Sequence, residues 1–179
     1  YGCADRAASN AVLFAPARCD PAGPAKKFGV CAGKFWRRRT MIERVRDLAA
    51  LAALHRVCFD RPWSENAFAD LLKGAGVHAL GDADGFIVIR CVAGEAEILT
   101  LGVVPARRRA GLARELVGSA LRLAVAEHQV GHVFLEVAAD NHGARNLYAG
   151  LGFICHSRRR QYYANMDALM MRCDLRQGG

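Results

Sequence analysis

VVPARRRAGLARELVGSAL, residues 103–121, runs from an apolar stretch through a proline, three arginines and a glycine into a helix-like repeat. Leu112, Leu116, Ala120 and Ala124 form one row, with Ala113, Val117 and Leu121 beside it. Arg114, Glu115, Ser119, Arg122 and Glu127 take the other face. This spacing predicts an amphipathic helix over 112–127 lying on a sheet. The junction before it then joins a strand to a helix, where the first N–H groups lack an internal partner and the dipole is positive. Gly111 and the small Ala113 let a ligand approach the backbone, and Arg107, Arg108 and Arg109 add charge around it, so the junction suits phosphate groups. A solvated basic patch explains the same residues equally well when they are read alone. GxxxxGK[ST] and GxGxxG are both absent, so this is neither a Walker loop nor a dinucleotide fingerprint.

Working outward, GFIVIRCVAGEAEILTLGVV predicts two strands, about 85–93 and 96–104, joined tightly at Ala93-Gly94-Glu95. Before them, a first helix is expected over about 45–57, and a second follows Ser64 as N-cap in FDRPWSENAFADLLKG. After residue 128 come a strand in HVFLEVAAD, a short helix in NHGARNLYAGLGF capped by Asn141, and two strands around a turn in FICHSRRRQYYANMDALMMRCDL. The order ααββαβαββ describes an α/β fold, a mixed central sheet with helices on both faces. Gly102 interrupts a strand-like run, which points either to a bulge or close backbone approach or to a merely weakened strand.

The 179 residues suit a single domain of ordinary size. No uncharged apolar run approaches the roughly 18–20 residues of a membrane-spanning helix, so a soluble protein with no membrane partner is expected. Seven cysteines without CxxC spacing suggest a reducing, cytoplasmic compartment, with Cys58, Cys91, Cys155 and Cys173 read as small core residues. The six histidines show no HxxxH spacing and no Ser/His/Asp set stands out, so no metal centre and no hydrolase are expected. The net charge of +8 is uneven: residues 1–40 carry +6 and residues 41–179 carry +2. The division expected is thus a basic, disordered extension over 1–40 and a domain over 41–179. The extension reads as an arm for nucleic acid, a targeting peptide broken by Pro16, Pro21 and Pro24, or sequence upstream of the true start.

RxxGxA at 108–113 after ILTLGVVP, then a helix, FLEV and NxxARNLYxxLGF, together resemble the acetyl-CoA site of the GNAT acetyltransferase superfamily. Within it the similarity is to RimI-type enzymes, which acetylate the N-terminal alanine of protein eighteen of the small ribosomal subunit. It covers about residues 41–175, including CFDRPWSENAFADLL and RRRQYYANMDALMMRCDL. The departures are Val104 where many relatives have Asp, Ala138 where Arg is common, and a shortened Tyr-Tyr turn.

The resemblance implies a GNAT fold with a splayed strand pair, and acetyl-CoA as co-substrate without metal. Backbone groups of Leu101 and Val103 would meet the pantetheine arm. The loop of Arg108, Arg109, Ala110, Gly111, Leu112 and Ala113 would hold the pyrophosphate. Asn141 would touch the cofactor arm, Glu136 would be the general base, and Tyr148 would donate a proton to the departing thiolate. Trp63, Tyr162 and Tyr163 would line the groove for the acceptor, the N-terminal peptide of a ribosomal protein. Read without the resemblance, Glu136 is a solvent-facing strand residue, Tyr148 an anchoring aromatic and Trp63 equally a core residue. No DNA partner is implied, and contact with RNA would fall to the basic extension.

Overall fold

The computed structural model describes residues 41–163 and 166–175. The expectations for residues 1–40 lie outside the described residues. Helix α1 (Leu48–Cys58) begins where Asp47 Oδ1 accepts a hydrogen bond from the Ala50 N–H at 3.0 Å, and it ends at the extended Phe59. Helix α2 (Glu65–Leu72) is capped in the same way by Ser64 Oγ and the Ala67 N–H, at 3.2 Å. An N-cap of this kind is worth about 1 kcal/mol. The cap at Asp47 corrects the start expected near residue 45, because residues 43–44 already form a short strand, β1 (Glu43–Arg44).

A second strand not anticipated, β2 (Val77–Gly81), follows α2. The expected pair is then present as β3 (Gly85–Val92) and β4 (Glu95–Val103). A 3-10 turn over Pro105–Arg107 leads to α3 (Leu112–His128), and β5 (His132–Ala138), α4 (His142–Ala149), β6 (Ile154–Tyr163) and β7 (Met166–Asp174) complete the order. The sheet runs β1-β2-β3-β4-β5-β7-β6. Every pairing is antiparallel except β4 with β5. A parallel pair needs a long crossover, and α3 supplies it. No described helix is long and apolar enough to cross a membrane.

Helices cover both faces because β3 is apolar on both. Phe86 and Val88 pack with Leu51, Ala52, Phe59 and Phe68 beneath α1 and α2. Ile87 and Ile89 pack with Leu112, Leu116, Val117, Ala120 and Ala124 of α3. All four β3 side chains are inaccessible to solvent, and full burial of each contributes about 1.5–3 kcal/mol. Of the cysteines read as core residues, Cys91 and Cys173 are buried and Cys58 is half-buried, while Cys155 is exposed on β6.

The pairing of β4 with β5 ends at Ile98 opposite Leu135. At that level β3 pairs Val88 with Thr100 and Ile89 with Ile98, so Leu99 is an extra residue in β4. A bulge bends and twists its strand, and beyond this one β4 and β5 part, opening a wedge between Leu99–Val103 and Glu136–Ala138. The bulge is therefore at Leu99 rather than at Gly102. Gly102 answers to close packing instead: a Cβ there would lie 2.5 Å from Phe86 Cε1 and 3.1 Å from Cys58 Sγ.

Candidate active site

The wedge exposes backbone on its β4 wall. The Val104 N–H donates to Asp84 O at 2.9 Å, which makes that rung hydrogen-bonded. In an antiparallel pair bonded and non-bonded rungs alternate. Val103 opposite Gly85 and Leu101 opposite Ile87 are then non-bonded rungs, with N–H and C=O groups turned away from β3 toward the opening. One of these groups is engaged, since Val103 O accepts from Arg108 Nε at 3.1 Å.

The basic loop closes the end of the wedge. Arg109 has φ 65 and Gly111 has φ 93, so two left-handed residues flank Ala110. Successive turns of this kind aim backbone N–H groups at a common point, the arrangement that binds anions. Gly111 is the N-cap of α3 and supplies no side-chain cap, leaving the N–H groups of the first turn to another acceptor. Open space surrounds the position a Gly111 Cβ would take. Ala110, Gly111 and Arg109 are exposed and Ala113 is half-buried, whereas the Leu112 side chain belongs to the core, so Leu112 has only its backbone to offer a ligand. Of the three arginines, Arg107 pairs with Asp84 at 3.1 Å and Arg108 with the Val103 carbonyl. Arg109 is exposed at the helix start.

Glu136 is the first residue of β5 beyond the last rung with β4. Its side chain is 15% exposed and lies 3.6 Å from Arg159 Nη1. The reach is possible because β7 lies between β5 and β6 and places the small Ala168 opposite both Ala138 and Arg159. Three residues past β5, Asn141 is buried and its Oδ1 accepts from the Ala144 N–H at 3.0 Å, capping α4. The cap engages one of the two lone pairs of that oxygen. Arg114 Nη1 donates to Gly150 O at 3.0 Å and ties the start of α3 to the end of α4.

Tyr148 is 6% exposed and meets Phe153 edge to face, with ring centroids 5.5 Å apart. Burial pushes its phenol well above the usual tyrosine range. A weaker acid transfers its proton less readily, so the only modestly uphill transfer expected from ordinary values becomes steeper.

Trp63 is drawn into packing. Its ring stacks on His55 at 5.1 Å and lies 5.3 Å from Phe68, and its backbone N–H donates to His55 Nδ1 at 3.2 Å. This favours the core reading over the groove reading. His55 is itself a core group, 1% exposed, with burial lowering its pKa to about 4 so that the ring stays neutral. The backbones of Tyr162 and Tyr163 end β6; their side chains lie outside the described residues. In the sequence Arg159 is one of three consecutive arginines on a strand, and nothing local marks it, because its partner comes from a strand that is not adjacent.

Comparison with known proteins places these features in a family setting. The profile of the Acetyltransferase (GNAT) family matches residues 48–153. The chain is similar to N-alpha-acetyltransferase RimI of Mycobacterium tuberculosis, 34% identical over 126 residues, covering 64% of this chain and 77% of that protein. It is also similar to the [ribosomal protein bS18]-alanine N-acetyltransferase of Escherichia coli, 31% identical over 128 residues, covering 68% of this chain and 84% of that one. Among solved structures, the ribosomal-protein-S18-alanine N-acetyltransferase from Escherichia coli superimposes with a TM-score of 0.69 and 29% identity, over 77% of this chain and 95% of that chain.

Proposed function

The chain belongs to the GNAT acetyltransferase family, and from that premise we propose that it acetylates the α-amine of peptides beginning with alanine, the N-terminus of ribosomal protein S18 foremost. It is an acetyl-CoA-dependent N-acetyltransferase of RimI type. The observation that supports amine acetylation at this site is Glu136, set where β4 and β5 part, with the backbone of Leu101 and Val103 on the opposite wall; the alanine preference is supported by the similarity to the alanine N-acetyltransferase of Escherichia coli.

In this reading the pantetheine arm extends along β4 in place of the missing strand, and the loop Arg108–Ala113 holds the pyrophosphate. The amine nitrogen attacks the thioester carbonyl, the new C–N bond forms, the C–S bond breaks, and CoA leaves as thiolate. Glu136 takes the proton from the amine directly or through water. An α-amine of pKa near 8 is about one-tenth neutral at pH 7, against about one in 2,500 for a lysine near 10.4. A modest base therefore suffices for an N-terminus.

A panel of peptides differing only in the first residue tests the reading, with an N-terminally blocked peptide carrying one lysine as control. The Ala-initiated S18 sequence should give the highest kcat/KM and the blocked peptide no product. Preference for the lysine would overturn the N-terminal assignment, and equal rates across all first residues would overturn the alanine preference.

The phosphate loop supports a separate prediction. Gly111→Val should weaken CoA binding by about tenfold or more, since a β-branched residue fits poorly at φ 93 and its side chain would fill the open space over the helix start. Calorimetric titration with CoA checks it. Unchanged affinity would remove the loop from the binding site.

A further inference from the structure

At the far end of α3, three side chains from distant parts of the chain converge. His128 closes the helix, Glu127 precedes it, and His78 reaches them from β2. The two imidazoles meet at Nε2 with 2.6 Å between the nitrogens, and all three ligand atoms lie within 4.8 Å of one another. The histidine spacing gave no metal signature because about fifty residues separate His78 from the other two. The fold removes that separation.

We propose that His78, Glu127 and His128 form a binding site for a divalent transition-metal ion of the zinc class. Two imidazoles and one carboxylate are the donor set such ions take, with water completing a four-coordinate shell. Metal–nitrogen bonds of about 2.0–2.1 Å in a tetrahedral shell put two nitrogens about 3.3 Å apart. The rings must therefore separate by about 0.7 Å, and both are only half-buried. The site also sits at the C-terminal end of a seventeen-residue helix, where the dipole favours a cation. A cavity of about 340 Å³ that includes Arg44, Leu72, Val77 and His78 in its lining adjoins the site and gives an ion a path from solvent.

Arg44 occupies the place of that cation. Its guanidinium pairs with Glu127 and lies 3.2 Å from His78 Nδ1. Arginine only donates, so His78 Nδ1 accepts, and its Nε2–H points at His128 Nε2. To bind a metal the His78 proton must move to Nδ1, which requires Arg44 to swing away and release Glu127 at the same time. Ion and guanidinium are thus mutually exclusive, and the bound ion would fasten β2 to the end of α3. The site stands about 25 Å along the helix from the phosphate loop, so it is a structural site, independent of the acetyl-transfer reading.

Titration of the full chain with Co²⁺, followed by visible absorption, tests the proposal. The unaltered chain should take up one ion without a thiolate charge-transfer band. His78→Ala and His128→Ala should each weaken binding by roughly 10–100-fold or more, the loss that even an outer partner of a metal ligand typically causes. Arg44→Ala should tighten it, and Zn²⁺ should raise the melting temperature of the unaltered chain but not of either histidine variant. Far-UV circular dichroism without metal establishes that each variant is folded; should one histidine variant not fold, the other and the Arg44→Ala result decide. Equal Co²⁺ affinity in the unaltered chain and the folded histidine variants, or a thiolate band showing the ion on cysteine, would overturn the site. Weaker binding in Arg44→Ala would overturn the exchange of guanidinium for metal.

Discussion

Glu136→Gln is expected to lower kcat toward an Ala-initiated peptide by about 10²-fold while leaving CoA affinity nearly unchanged. The substitution keeps the shape of a side chain that is mostly buried and faces Arg159, so the sheet should hold. In the proposed mechanism it removes the proton acceptor at the mouth of the wedge. Only neutral amine attacks the thioester, and the α-amine of the acceptor loses its proton around pH 8. Below that pH the enzyme must remove a proton that is still bound, and the variant lacks the group to do it. Above it the amine arrives neutral, and the deficit should shrink. The pH dependence of kcat for both forms, measured from about pH 6 to 10, checks this. A variant equal to the unaltered enzyme throughout would mean that Glu136 takes no proton, and its proximity to Arg159 would then be structural.

What the sequence made legible follows from the kind of signal each element carries. Helix α3 and strands β3 to β5 are long, periodic and bounded by turn residues, so their types and approximate ends could be read before any pairing was known. Strand β1 has two residues, too few to show a period of two, and β2 has five with a glycine at its end. The wedge was foreseen through the family resemblance, but its cause was not. The bulge at Leu99 exists only in the register between β3 and β4, and a register is not written in either strand alone. The same limit hid Arg159. Its approach to Glu136 depends on the last strand entering the sheet between β5 and β6, which turns two distant residues into neighbours across a small alanine. The packing of Trp63 was hidden for a related reason: the rings it meets, His55 and Phe68, lie on two different helices.

Tyr148→Phe should lower kcat by about 10²-fold as well, with CoA affinity retained and with no relief at high pH. The ring sits in the core against Phe153, and phenylalanine preserves that packing, so the loss can be assigned to the hydroxyl. Burial raises the phenol above its ordinary range, which has two consequences. The proton stays in place at every pH at which the enzyme would be assayed, so no limb of the profile should arise from Tyr148 itself. The hydroxyl is also a poorer acid than the free CoA thiol, whose pKa is near 8.5 by analogy with cysteine. Outright transfer to the thiolate is therefore unfavourable, and the role proposed for Tyr148 is to donate a hydrogen bond to sulfur as the C–S bond lengthens, lowering the barrier while keeping its proton. Raising the pH supplies neutral amine but no hydrogen-bond donor, so the defect should persist where that of Glu136→Gln fades. A thioester with a more acidic leaving thiol tests the assignment directly, because its thiolate needs less stabilisation and the gap between Tyr148→Phe and the unaltered enzyme should narrow. A gap that stays constant across leaving groups would place Tyr148 in the packing of α4 and leave the thiolate to solvent.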